Sequence, residues 1–89
     1  MYDNKQIETI VKGFANHRRL DILFLLENES ELSLQEISQR LDINFKTASE
    51  HLRRLMLAGL IVKTNDANFV LHTITPRGRD VLAFLEKLH

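Results

Sequence analysis

The sequence predicts a mainly α domain with one small β-hairpin, in which a helix-turn-helix is followed by a wing and flanked by a helix at each end. Three observations predict it. Residues 33–60, SLQEISQRLDINFKTASEHLRRLMLAGL, read as a short capped helix, a tight turn and a longer helix with a polar outer face. Two β-branched runs separated by turn residues come directly after it. Amphipathic helical patterns stand on either side of the whole. A chain of 89 residues has room for one domain, 1–89.

Each element has a local cause. Residues 4–14 place Ile7, Ile10, Val11 and Phe14 at helical spacing, with Gly13 weakening the end of that first helix. Asn16 suits the N-cap of a second helix carrying Leu20, Ile22, Leu23, Leu25 and Leu26. This helix is apolar on more than one face and is expected to be the most buried. ENESEL breaks it. Ser33 and Glu36 form a capping box, with Leu32 and Ile37 as its hydrophobic staple, and the third helix runs to about Leu41. Asp42, Ile43 and Asn44 make the turn, and Asn44 caps the fourth helix. Ala48, Leu52, Leu55 and Met56 are its inward stripe, and Gly59 suits the left-handed position past its end. Residues 60–64 and 69–73 are strands, and residues 65–68 are the turn between them. Thr75 caps a last helix with Pro76 at its first position, and Val81, Leu82, Phe84, Leu85 and Leu88 give it a broad apolar side.

Composition narrows the function. The absence of cysteine removes disulfides, thiolate metal sites and thiol nucleophiles. The N-terminal segment carries Asp3 and Glu8 and has no apolar core run, so it does not read as a signal peptide. No apolar run approaches the length of a membrane span, and the chain is expected to be soluble and cytoplasmic. No catalytic constellation is present: there is no Ser-His-Asp logic, no phosphate-cradling glycine loop and no carboxylate pair placed for a cleft. No cofactor is expected. Net charge is zero and the pI is near 6.9, which counts against a nucleic-acid binder. The distribution matters more. Residues 44–65 hold Lys46, Arg53, Arg54 and Lys63 against Glu50 alone, whereas residues 27–36 hold four glutamates and no basic residue.

With Ala48, Leu52 and Leu55 turned inward, the 100° helical step turns Lys46, Thr47, Ser49 and Arg53 outward. The N-terminal part of such a helix reads base edges in the major groove of DNA, and flanking residues meet phosphates. Lys46 suits guanine O6 and N7, Thr47 and Ser49 suit base edges or phosphate, and Phe45 suits a thymine methyl. Arg53, Arg54 and Lys63 suit phosphates. Asn44 stands at the same end. Glu50 is expected to pair with Arg53 or Arg54, at spacings of three and four. The plainer alternative is an ordinary solvated helix face.

On these residues the chain resembles the ArsR-type winged-helix repressors. The matching pieces are Arg19, Leu20, Ile22 and Leu23, then Thr47, Ser49, His51 and Leu52, followed by Leu55, Ala58, Gly59 and Leu60. The resemblance spans about residues 16–78, and ITPRGRDVLAFLEKL is similar to the segment after the wing in MarR- and PadR-type regulators. It implies binding to double-stranded DNA, with His51 in the recognition helix as a backbone contact and Arg19 as a structural residue. It also implies a homodimer built from the end helices through Ile7, Ile10, Val11, Phe14, Val81, Phe84, Leu85 and Leu88, with Leu57 as a further exposed contact. Without a dimer, these side chains would pack on each other within one subunit.

Three departures limit the resemblance. The family's thiolate metal site lies on the third helix, where this chain has Leu32, Ser33, Leu34, Gln35 and Glu36. Its second metal site uses Asp, His and Glu on the last helix, where only Asp80, Glu86 and His89 are candidates. The wing tip lacks the arginine that such wings place in the minor groove. No metal site is therefore expected, and wing contacts should be weak. The expectation is a regulator, in the first instance a repressor, acting on an inverted repeat. Any small-molecule effector is unknown and is expected to act at the dimer interface. The alternative is a winged-helix module that holds a protein partner through the same surface or its acidic loop.

Overall fold

A computed structural model describes residues 2–88. Among them the chain forms α1 (Asn4–Phe14), α2 (His17–Asn28), α3 (Leu34–Leu41), α4 (Phe45–Leu57), β1 (Ile61–Asp66), β2 (Phe69–Ile74) and α5 (Pro76–Glu86).

The helix ends are set by side chains that satisfy backbone groups the helix itself leaves free. Asp3 and Gln6 close a capping box on α1. The Asn16 side-chain oxygen accepts from the N–H groups of Arg18 and Arg19 at 2.9 and 3.3 Å. Ser33 and Glu36 form the expected reciprocal box on α3. The α3–α4 turn is held at Asp42, which takes the left-handed conformation at φ 52°, and by the Ser38 hydroxyl, which donates to the Ile43 carbonyl at 2.6 Å. Asn44 caps α4 by accepting from Lys46 and Thr47. Gly59 follows α4 at φ 76°, where a Cβ would be strained. The Thr75 hydroxyl donates to the Gly59 carbonyl at 2.7 Å and accepts from the Gly78 N–H, so one side chain joins the end of α4 to the start of α5.

The core forms around α2. Ile22, Leu23 and Leu26 pack with Ile37, Leu52, Leu55, Leu60 and Ile61, all essentially inaccessible to solvent. Truncating any of these to alanine is of the kind that costs about 2–5 kcal/mol. Leu60 itself precedes β1, one residue later than the strand expected from sequence.

The hairpin corrects the sequence reading at its tip. Strand pairing continues through Asn65↔Val70 and Asp66↔Phe69, so Asn65 and Asp66 belong to β1 and the turn is only Ala67 and Asn68. Ala67 supplies the positive φ, 54°, that so tight a turn needs. A further feature is absent from any local pattern: Leu32 and His72 form an antiparallel bridge, exchanging backbone hydrogen bonds of 3.2 and 2.8 Å. The root of the wing is thereby stitched to the residue just ahead of the α3 cap.

The end helices do not rest chiefly on each other. α1 packs against α4 and α2, while α5 packs against α2 and β2. Gly13 is buried where α1 crosses Ala58, the residue that caps the end of α4, so its role is close approach and not a frayed end. Arg77 at the start of α5 stacks over the Tyr2 ring, 5.0 Å from its centroid, and donates to its hydroxyl. Ile7, Val11, Leu57, Phe84 and Leu88 remain exposed, the last lying past the end of α5, while Ile10, Phe14, Val81 and Leu85 are half-buried. Among the described residues, no helix is long and apolar enough to cross a membrane.

Candidate nucleic-acid interface

The outer face of α4 is dictated by its inner one. Ala48, Leu52 and Leu55 are buried, and the 100° step then places Lys46, Glu50, Arg53 and Arg54 along the opposite stripe, with Thr47 and Ser49 on its two flanks. All six are exposed. Phe45, in the first turn, is 57% exposed and stands beside the polar stripe. Asn44 is also exposed, but its side-chain oxygen is committed to the cap.

Glu50 organises the stripe. Its carboxylate accepts two hydrogen bonds from Arg53, at 2.9 and 2.6 Å, and a third from Arg54 at 3.2 Å. These bonds, Arg53's foremost, pull its pKa down to about 2. Lys46 and Lys63, by contrast, pair with no carboxylate among the described residues. The expected pairing of Glu50 is thus met by both arginines at once.

His51 occupies a different environment. It is half-buried, and its Nδ1 accepts from Arg19 Nε at 3.2 Å. Arg19 also donates to the Lys12 carbonyl at 2.9 Å, tying α1, α2 and α4 together by hydrogen bonds without an ion pair. Burial first, then the Arg19 charge, push the His51 pKa down. The ring is therefore a neutral tie between helices, with only Nε2 left to meet a phosphate. Arg18 lies beside Asp21 at 4.0 Å.

The wing brings Lys63 to the same side. Lys63 and His72 are register partners across the hairpin, on the face turned toward α4. Between wing and helix lies a groove of about 360 Å³ lined by Leu34, Ser49, Leu52, Arg53, Met56, Lys63, Val70 and His72. His72 is buried at 3% exposure, with Nδ1 3.0 Å from the Leu32 carbonyl. Burial lowers its pKa, the hydrogen bond to Leu32 opposes this in part, and the nearby Lys63 charge adds to the lowering. Sequence reasoning missed this residue because its partner lies 40 positions away. The structure thus gathers Ser49, Arg53 and Lys63 around one groove, with Lys46, Thr47 and Arg54 on the adjoining helix face.

The acidic run is largely consumed by structure. Glu27 pairs with Arg79 at 3.4 Å, Glu29 pairs with Arg40, and Glu36 closes the α3 cap, where the Ser33 backbone N–H and then its hydroxyl lower its pKa. Among the described residues no three His, Asp or Glu side chains converge as a metal site requires. Asp80 and Glu86 are exposed on α5, and His89 lies outside the described residues.

Two stacked helices with a left-handed turn, a hairpin at the foot of the second and an exposed polar stripe on the outer face of the second make a winged helix-turn-helix domain. Residues 16–63 match the profile of the bacterial regulatory protein, arsR family. The chain belongs to that family. It is 38% identical over 80 residues to the transcriptional activator HlyU of Vibrio cholerae, covering 90% of this chain and 71% of that protein. A solved structure of HlyU from Vibrio cholerae superposes with a TM-score of 0.82 at 32% identity, covering all of this chain and 98% of the other. A Mycobacterium bovis domain described as a homodimeric winged helix-turn-helix DNA-binding domain superposes with a TM-score of 0.80 at 28% identity, covering 99% of this chain and 85% of that one.

Proposed function

We propose that this chain is a single-domain transcriptional regulator that binds double-stranded DNA as a homodimer. The outward stripe of α4 carries the reading. Lys46 is unpaired among the described residues, Thr47 and Ser49 flank it, Arg53 and Lys63 line the groove between helix and wing, and Arg54 stands on the side of the stripe that faces α1. Lys46, Thr47 and Ser49 read base edges, helped by Phe45 at the entry of α4, while Arg53, Arg54 and Lys63 neutralise phosphates. Asn44 positions the helix, and His51 contributes at most a hydrogen bond through Nε2. The exposed apolar side chains of α1, α4 and α5 form the two-fold interface: Ile7, Val11, Leu57 and Phe84, with half-buried Ile10, Phe14, Val81 and Leu85 beneath and Leu88 beside them. A dimer of this kind sets its two recognition helices about 34 Å apart, one turn of DNA. The M. bovis domain, described as homodimeric and DNA-binding, supports the same assembly.

The decisive experiment is selection of duplexes from a random pool by the purified chain, with sizing of the complex. Recovery of an inverted repeat bound by two chains is the expected result. Lys46→Ala combined with Arg53→Ala should abolish that binding while leaving the melting temperature nearly unchanged. Unchanged affinity in the double variant sinks the site assignment. Affinity of the native chain should fall steeply with salt. A reporter behind the recovered operator gives the sign of regulation: lower expression is expected of a repressor, whereas higher expression agrees with the name of the V. cholerae relative.

One observation favours the second reading, a protein-binding module. The wing exposes Val62, Phe69 and Val70 and carries no arginine. The same selection separates the two, because such a module enriches no duplex even at low salt. The acidic loop is a poor docking site for it, since most of its glutamates are already paired.

A further inference from the structure

We propose that the groove between α4 and the wing is a small-molecule site for an amphipathic carboxylate that also bears a hydroxyl group, a hydroxylated aromatic acid being the fitting class. The groove's volume, about 360 Å³, lies at the lower end of the range for ligand pockets. Leu52, Met56 and Val70 supply apolar walls that take a ring.

The polar ends are specified by chemistry. At the floor, His72 Nδ1 lies 3.0 Å from the Leu32 carbonyl. A carbonyl oxygen only accepts, so Nδ1 carries the proton and Nε2 of the neutral ring presents a lone pair. Among the described residues Nε2 has no hydrogen-bond partner, and no fully enclosed side-chain nitrogen or oxygen lacks one. Nε2 therefore opens onto the groove, where it accepts a hydrogen bond from a donor such as a hydroxyl. Burial disfavours protonation of the ring more than the Leu32 hydrogen bond favours it, and the Lys63 charge adds to burial, so Nε2 stays an acceptor. At the rim, Lys63 has no carboxylate partner among the described residues, whereas Arg53 is held by Glu50. Lys63 and His72 sit opposite each other across the hairpin. A ligand lying over this pair puts its carboxylate on the ammonium, its hydroxyl on Nε2 and its ring against the walls.

Such a ligand occupies the space beside Ser49, Arg53 and Lys63, so it excludes a DNA phosphate from the same place. That consequence rests on the DNA-binding reading, whereas ligand binding itself does not. The site is distinct from the subunit interface, where a signal was expected from sequence.

The test is titration of the full chain with 4-hydroxybenzoate, monitored by NMR of the His72 ring and the Met56 methyl group. Benzoate, which lacks the hydroxyl, and phenol, which lacks the carboxylate, serve as probes with one polar end each. Saturable shifts of both reporters are expected, with each truncated probe, and the Lys63→Gln variant, binding roughly tenfold more weakly. The proposal is overturned if the reporters do not move at about 10 mM probe, an affinity too weak to regulate. It is equally overturned if Lys63→Gln binds as well as the native chain. Adding probe to a protein–duplex complex should release the duplex. If the probe binds but the chain holds no duplex under any condition, the ligand site stands and the DNA reading falls.

Discussion

Glu50 stands at the centre of the outward stripe of α4 and holds both neighbouring arginines. A fixed carboxylate there repels phosphate and occupies the guanidinium groups that would otherwise meet any duplex. Glu50→Gln should therefore tighten binding to non-specific duplex severalfold at low salt and narrow the gap between operator and random DNA. Fluorescence anisotropy against both duplexes checks this, and weaker non-specific binding by the variant would contradict it. The Glu50 pairing was legible in the sequence because partners three and four residues on share a helix face. The caps at Asn16, Ser33, Asn44 and Thr75 were legible for the same reason, each being settled within one helical turn. The histidines were not. His51 and His72 find their partners 32 and 40 residues away, and no local period carries that information.

At the scale of elements, each helix and strand was readable from apolar spacing, and the wing tip was not. Asn65 and Asp66 carry turn chemistry but pair as strand, while the positive φ falls on Ala67, a residue type that gives no signal for it. The start of α5 depends on closeness that sequence also hides. A Cβ on Gly78 would overlap the Leu60 carbonyl oxygen and the Ile74 side chain, and a backbone oxygen cannot swing aside. Gly78→Ala should cost about 1–3 kcal/mol, as overpacking does. The melting temperature should drop by roughly 4–8 °C per kcal/mol in a domain of this size. A scanning-calorimetry melt that matches the native one would refute this account of the α4–α5 junction.

For the whole molecule, stability should depend on pH through the half-buried His51 and the buried His72. His51 and His72 both have folded pKa values below the ordinary one near 6.5, chiefly through burial. Between the unfolded and folded values the unfolded chain binds more protons, so stability is full above about pH 6.5 and falls as the pH drops below it. The lowered carboxylates act in a more acidic window: Glu50 and Glu36 stabilise above the ordinary carboxylate pKa, and that contribution fades as pH falls toward their folded values. Urea midpoints measured from about pH 7.5 down to pH 5.5 should therefore decline, and His72→Gln should flatten the decline even if it lowers every midpoint. An unchanged slope in that variant removes His72 from the account.

The Leu32–His72 bridge has a mechanical consequence. A hairpin clamped at its root is a stiff pointer, not a swinging arm, and any tilt of α3 is passed to the wing with little slack. In the proposed dimer each subunit then meets its half-site as one lever. Tolerance to altered half-site spacing has to come from bending of the duplex or from give between the subunits.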